Sequence, residues 1–197
     1  MPPGTGRPWP LPQRGHHAAS TGRSGAARTV PPMTTPRDLW PHWDSGLLLM
    51  PAGTDVWDLH DSGLWILIPT NTCTKSDGTA VMGAGLALAA ATRHPDLPKR
   101  YGRALSAGAR NVAIAEHRLL LGPTKDDWRR PSTMALVRAL LADVRAWCDA
   151  NPHEALAVAA PGCGRGGLPW EKVRAEATTA LAARRVALLP PMPAPTR

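Results

Sequence analysis

One continuous apolar run, Leu64-Trp65-Ile66-Leu67-Ile68-Pro69, narrows what this chain can fold into. It is too short for a typical helix and shows no polar alternation, so it reads as a strand buried on both faces. Strands of that kind belong to parallel sheets covered by helices above and below. Further strand-like segments lie at residues 46–50, 111–115, 118–121, 155–160 and 186–189. Residues 84–93 are alanine-rich and read as a helix, stopped before His94-Pro95 because the residue preceding a proline disfavours the helical region. Residues 132–150 form the clearest helix. Ser132 suits its N-cap, and Val137, Leu140, Leu141, Val144, Trp147 and Cys148 fall on one face. Residues 169–184 read as a helix with proline in its first turn. Strands alternating with helices predict an α/β fold, a mostly parallel sheet with helices on both sides. Ligands of such sheets sit beyond the carboxyl ends of the strands.

The 197 residues suit one domain with tails. Residues 1–43 read as a flexible tail rich in Pro, Gly and Arg, residues 44–190 as the domain, and residues 191–197 as a Pro-rich end. Residues 1–33 hold too little aliphatic sequence to offset the entropy of ordering. Met33 stands just before the first domain-like sequence, where a shorter chain would start. Half of the net charge of +8 sits in the tail, which carries five Arg and one Asp in residues 1–43. The domain is therefore only modestly basic, which suits an anionic ligand as well as it suits an ordinary solvated surface. No stretch of eighteen apolar residues is present, so no membrane span is expected, and residues 1–20 lack the apolar centre of a secretory signal. Three scattered cysteines, Cys73, Cys148 and Cys163, form neither a disulfide framework nor a metal pair. Such usage fits a reducing cytoplasm.

Two glycine-rich segments fall where a ligand is expected. Val81-Met82-Gly83-Ala84-Gly85 follows the apolar strand and opens a helix. Gly162-Cys163-Gly164-Arg165-Gly166-Gly167 lies between the strand at 155–160 and the helix at 169–184. Glycine lets backbone approach a ligand closely, and free N–H groups near a helix start attract phosphate. Each segment alone also fits a tight strand-to-helix turn. Leu88 occupies the third glycine position of a GxGxxG, and no GKS or GKT follows, so neither a dinucleotide fingerprint nor a P-loop is formed.

Taken together, four ordered motifs resemble the macro domain family. They are Ile68-Pro69-Thr70-Asn71, the VMGAGLALA run from Val81, the GPTKDDWRRPS run from Gly122 and the PGCGRGGLPW run from Pro161. The resemblance covers residues from about 46 to 190 and is greatest to the bacterial branch typified by DarG, whose members remove ADP-ribose from DNA. It implies a three-layer α/β/α macro domain with a mostly parallel mixed sheet and an ADP-ribose cleft. It also assigns residues. Asn71 would face the distal ribose. Val81, Met82, Gly83, Ala84 and Gly85 would form a first phosphate loop, and Gly162, Cys163, Gly164, Arg165, Gly166 and Gly167 a second. Asp55 would accept a hydrogen bond from adenine, although its spacing to Asn71 is longer than the pattern. Lys125 matches the lysine of the family's PTK segment, close to the anomeric carbon of the distal ribose. There it would stabilise or protonate the leaving group, or attack the opened sugar. Outside the resemblance, Lys125 reads as a solvated lysine beside Asp126 and Asp127.

Departures from the pattern refine this reading. Relatives that act on protein glutamates carry an acidic residue inside the second glycine loop, where this chain has Gly166. The insert at residues 72–80 is longer than in the DarG branch. Trp128 suits packing on the ligand or a flipped base and suits equally the closing of its loop onto the core. Arg129 and Arg130 suit a nucleic-acid backbone or a solvated turn. Cys163 suits a small buried cysteine better than a reactive thiol. His60, His94, His117 and His153 share no metal-binding spacing. The expected function is metal-independent, cofactor-free hydrolysis of the bond between ADP-ribose and a DNA base or protein side chain, by a monomer without membrane attachment. The rival readings are a non-catalytic ADP-ribose reader and an esterase acting on acetylated or phosphorylated ADP-ribose.

Overall fold

A computed structural model describes Trp9 and residues 46–192. Six strands form one sheet: β1 (Leu47–Leu49), β2 (Trp65–Asn71), β3 (Val112–Ile114), β4 (Leu119–Lys125), β5 (Leu156–Ala159) and β6 (Val186–Leu189). Their spatial order is β1-β6-β5-β2-β4-β3. Every neighbouring pair is parallel except β3 with β4. The helices are α1 (Val56–Asp61), α2 (Gly85–Arg93), α3 (Leu97–Ser106), α4 (Met134–Ala150) and α5 (Trp170–Leu181).

Strand alternation sorts the side chains into two cores. Ile66 and Ile68 of β2 pack with Val56, Leu59, Ala87, Ala90, Leu97 and Tyr101 from α1, α2 and α3. Trp65 and Leu67 face the other way and pack with Val137, Leu140, Val144, Val173 and Ala177 from α4 and α5. Residues 64–68 are all nearly inaccessible, as a strand covered on both faces requires. This is the expected three-layer α/β/α arrangement. The apolar face expected for α4 is buried as read, but its N-cap is Thr133, whose hydroxyl accepts from Leu136 N at 3.3 Å. Ser132, expected in that role, lies one residue earlier with its hydroxyl buried.

β4 runs four residues further than its sequence suggests, through Gly122-Pro123-Thr124 to Lys125. The proline is tolerated because β3 pairs no further along β4 than Leu121, opposite Val112. Among residues 1–43, Trp9 alone is described. It is buried in the α4–α5 core, and its indole N–H donates to the Leu121 carbonyl at 3.4 Å. The other residues expected as the N-terminal tail, and residues 193–197 of the C-terminal one, lie outside the described residues.

At the edge of the sheet away from the strands' carboxyl ends, three histidines that no spacing linked come together. His94, following α2, stacks on His117 with ring centroids 4.0 Å apart and lies 6.5 Å from His60. His60 Nε2 pairs with the His117 carbonyl at 2.8 Å, and His117 Nε2 lies 3.7 Å from Asp96. His94 Nε2 is buried without a hydrogen-bond partner among the described residues. Burial lowers the His94 pKa below its ordinary 6.5, and His117, His60 and Arg93 push it further the same way, against a smaller opposing pull from Asp96. The folded state therefore resists protonation more than the unfolded chain does. The stability contributed by neutral His94 is complete above about pH 6.5 and is lost as pH falls below that value. Thermal unfolding between about pH 5 and pH 8 should show the melting temperature falling on the acid side, with a smaller fall in His94→Gln. An identical acid-side fall in the variant would show that other groups cause it.

Candidate functional site

The parallel strands deliver their loops to one edge. β5 and β2 are neighbours, so the segment after β5 that holds the second glycine loop and the segment after β2 that leads through the insert to the first both lie at the carboxyl edge. In the first loop, Gly83, Ala84 and Gly85 donate their N–H groups to no acceptor among the described residues. Ala84, at the N-cap of α2, offers no side-chain cap, which leaves the positive end of that helix open. A side chain added at Gly83 or Gly85 would meet nothing within 4 Å, so packing does not account for glycine there. Met82 turns its side chain into the core and Val81 uses both backbone groups within the protein, receiving Asn71 Nδ2 and donating to the Cys73 carbonyl. These two expected ligand contacts support the loop from below.

The second loop is built differently. Its entry residue, Ala160, holds φ +27, a left-handed conformation that costs a non-glycine residue about 1 kcal/mol. Leu168 N closes the loop on the Gly162 carbonyl at 3.0 Å, and Gly167 N bonds to the Gly164 carbonyl at 3.1 Å. The N–H groups of Gly164, Arg165 and Gly166 donate to no acceptor among the described residues. Two sets of open N–H groups therefore lie beyond the carboxyl ends of the strands, and open N–H groups near helix starts attract phosphate. Gly166 is a packing requirement. A Cβ there would lie 2.1 Å from the Gly162 carbonyl oxygen and 2.3 Å from Ser132 Oγ, so no acidic side chain fits this position. Cys163 is half-buried, and burial pushes its thiol pKa up to about 11, which agrees with an inert cysteine.

Lys125 ends β4, on the far side of β2 from the second loop. Its ammonium nevertheless donates to the Arg165 carbonyl at 2.7 Å. Lys125 is the strand partner of Asn71, and its side chain reaches from there to the second loop. Asn71 Nδ2 donates to the Val81 carbonyl at 2.8 Å, and its Oδ1 accepts from Cys73 N at 2.9 Å. One amide hydrogen and one lone pair remain for a ligand. Asp55 lies on the same edge as the exposed N-cap of α1, one carboxylate oxygen accepting from Trp57 N at 2.9 Å.

The long insert is an ordered turn. Thr74 and Ala80 form a bridge, and Asp77 Oδ1 accepts from Thr79 N and from its hydroxyl. Ala80 N donates to the Pro98 carbonyl of α3 at 2.8 Å, and Gly102 of α3 lets the Gly78 carbonyl approach where a Cβ would lie 2.0 Å from it. Thr72 Oγ1 donates to the Asp126 carbonyl at 2.8 Å, tying the insert to the loop after β4. Among the described residues, no three His, Cys, Asp or Glu side chains are arranged to hold a metal ion, and no helix is long and apolar enough to cross a membrane.

The fold matches solved macrodomains. The Mycobacterium tuberculosis DarG macrodomain superposes with a TM-score of 0.61 and 26% identity, over 74% of this chain and 99% of that one. The Thermus aquaticus DarG macrodomain gives a TM-score of 0.59 and 28% identity, over 75% of this chain and 100% of that one. This chain carries a DarG-like macro domain. A third match, Thermosipho africanus DarTG in complex with ADP-ribose, has a TM-score of 0.60 at 22% identity and speaks for the fold alone. No family model matches the chain. In sequence, the macro domain is 32% identical over 113 residues to a Thermus aquaticus protein named DNA ADP-ribosyl glycohydrolase. It is 35% identical over 104 residues to a Mycobacterium tuberculosis protein of the same name. The matched regions are 31% and 29% of those relatives, so the macro domain answers to less than a third of their length.

Proposed function

We propose that this macro domain binds ADP-ribose at the carboxyl edge of its sheet and hydrolyses the bond joining it to a DNA base. The observation that carries the reading is Lys125, the strand partner of Asn71, with its ammonium held on the Arg165 carbonyl of the second glycine loop. A diphosphate in the paired loops would leave its distal ribose near that ammonium. The glycosidic bond breaks, water oxygen bonds to the anomeric carbon, and the base departs with a proton. Loss of the base builds positive charge on the ribose and negative charge on the leaving group. Lys125 is suited to meet the leaving group as acid or electrostatic partner, and Asn71 to orient the ribose through its free amide hydrogen. Asp55 would accept from the adenine amino group with its remaining carboxylate oxygen.

Two points favour DNA over protein glutamates as the bearer. Gly166 leaves no room for the acidic residue of the glutamate-directed pattern, and the similar proteins from Thermus aquaticus and Mycobacterium tuberculosis are named for DNA. The position of Lys125 also favours a hydrolase over a reader, since a reader needs no amine above the ribose. We place the enzyme in the cytoplasm as a monomer, in keeping with its free cysteines.

The test is a release assay on the purified chain with EDTA present, using thymidine-ADP-ribosylated DNA and glutamate-ADP-ribosylated protein. Free ADP-ribose from the DNA alone is the expected result. Release from the protein alone would transfer the activity to the other target class. Tight ADP-ribose binding by calorimetry with no release from either would leave a reader.

A further inference from the structure

Trp128 is half exposed, at 49%, and no other described tryptophan is classed as exposed. It does not close its loop onto the core. It stands three residues after Lys125, so the two α-carbons are at most about 10 Å apart. The Arg129 guanidinium lies over its ring, 4.8 Å from the centroid. That loop is shaped by its acids. Asp127 Oδ1 accepts from Arg129 N at 2.9 Å and its carbonyl accepts from Arg130 N at 3.1 Å. Asp126 is paired with Arg110 at 2.7 Å. Both carboxylates are therefore engaged, while the exposed Arg130 side chain pairs with no acid among the described residues. The outcome is an indole platform backed by one arginine and flanked by another at the rim of the cleft.

We infer that Trp128 stacks a base next to the modified nucleotide and that Arg129 and Arg130 meet the adjoining phosphates, so the enzyme engages a single strand. This rests on the function proposed above. The chemistry fits a strand. Base stacking needs an exposed aromatic face and phosphate needs cations; Trp128 offers the face, Arg130 a cation with no acid partner among the described residues, and Arg129 an exposed one 3.9 Å from Asp127, all without reading sequence. Stacked bases rise about 3.4 Å per nucleotide, so a span of about 10 Å reaches a base one to three positions from the one at Lys125. A duplex keeps base faces stacked on one another, out of reach of this platform, so the preference is for single-stranded DNA.

The experiment compares the full chain with Trp128→Ala and Trp128→Phe on two substrates, an ADP-ribosylated thymidine oligonucleotide and ADP-ribosyl-thymidine alone. In Trp128→Ala the ratio of kcat/KM on the oligonucleotide to that on the mononucleoside should fall about tenfold, through KM, and Trp128→Phe should restore most of it. Anisotropy of a labelled, unmodified oligothymidine supplies a readout independent of turnover. Its affinity should weaken about tenfold in Trp128→Ala and fall steeply with salt. An unchanged ratio together with unchanged oligothymidine affinity would overturn the inference. So would Trp128-dependent release from modified protein instead of DNA. If the chain releases ADP-ribose from nothing, the hydrolase reading fails, while the anisotropy arm still decides whether Trp128 holds a strand.

Discussion

Lys125→Ala should lower release of ADP-ribose from modified DNA by a factor of about 100 to 10,000 while leaving ADP-ribose affinity within a few-fold of the parent. The range is what loss of a positioned acid or base costs. Affinity should survive because, in the proposed site, the diphosphate would be held by the open backbone N–H groups of both loops, which the substitution leaves in place. The lysine also fastens the second loop through the Arg165 carbonyl at 2.7 Å. Losing that bond should cost about 1 kcal/mol of stability and no more, since it is one exposed hydrogen bond. Lys125→Arg separates the two roles. It can still donate to the carbonyl but carries no proton to transfer near neutral pH. Full turnover in Lys125→Arg would remove proton transfer from the mechanism and leave electrostatic support. Full turnover in Lys125→Ala would remove the residue from it altogether.

Gly166→Ala should damage folding and binding together, and Gly164→Ala should damage binding alone. A methyl at Gly166 meets the Gly162 carbonyl at 2.1 Å and Ser132 Oγ at 2.3 Å. One of these is backbone inside a closed turn, so the loop itself must move. Overpacking of this kind costs about 1–3 kcal/mol, enough to lower the melting temperature by several degrees. A methyl at Gly164 meets nothing within 4 Å, so the fold should not register it. If a pyrophosphate rests against that backbone, the same methyl keeps it away, and affinity for ADP-ribose measured by calorimetry should drop at least about tenfold. Unchanged affinity in Gly164→Ala would place the phosphates elsewhere.

The sheet was more legible in the sequence than the helices on one of its faces. β2 announces itself because both its faces are buried, which forces residues 64–68 to be apolar without interruption. α4 is legible because seventeen residues give its apolar face several repeats. α1 has six residues and only Val56 and Leu59 buried, too few for a period to emerge. α3 carries Pro98, Gly102 and three cations around a buried stripe of Leu97 and Tyr101, so its composition reads as a loop. The end of β4 was hidden by Gly122-Pro123, which breaks strands elsewhere and is permitted here by the absence of a β3 neighbour.

For the site, the sequence marks the loops but not what their members do. Glycine at 83, 164 and 166 looks alike in the chain, yet only Gly166 is demanded by packing. Met82 sits inside a recognisable motif and points into the core. The three-histidine group escaped notice because His60, His94 and His117 come from elements far apart in sequence. That the free face of Trp128 is exposed depended on the turn that Asp127 makes, which no local pattern specified.

The ties at the cleft also bear on how a ligand gets in and out. The loop after β4 and the loop after β5 are joined twice, by Lys125 to the Arg165 carbonyl and by Ser132 N to the Gly166 carbonyl at 2.9 Å. The first glycine loop is moored instead to the insert on α3, through Asn71 and Ala80. The two sides are also joined to each other, because Thr72 Oγ1 of the insert donates to the Asp126 carbonyl after β4 at 2.8 Å, so the loops form one hydrogen-bonded rim beyond the end of β2. A ligand that drew the lysine off the Arg165 carbonyl would remove one tie of that rim, so binding of substrate would slacken the second glycine loop.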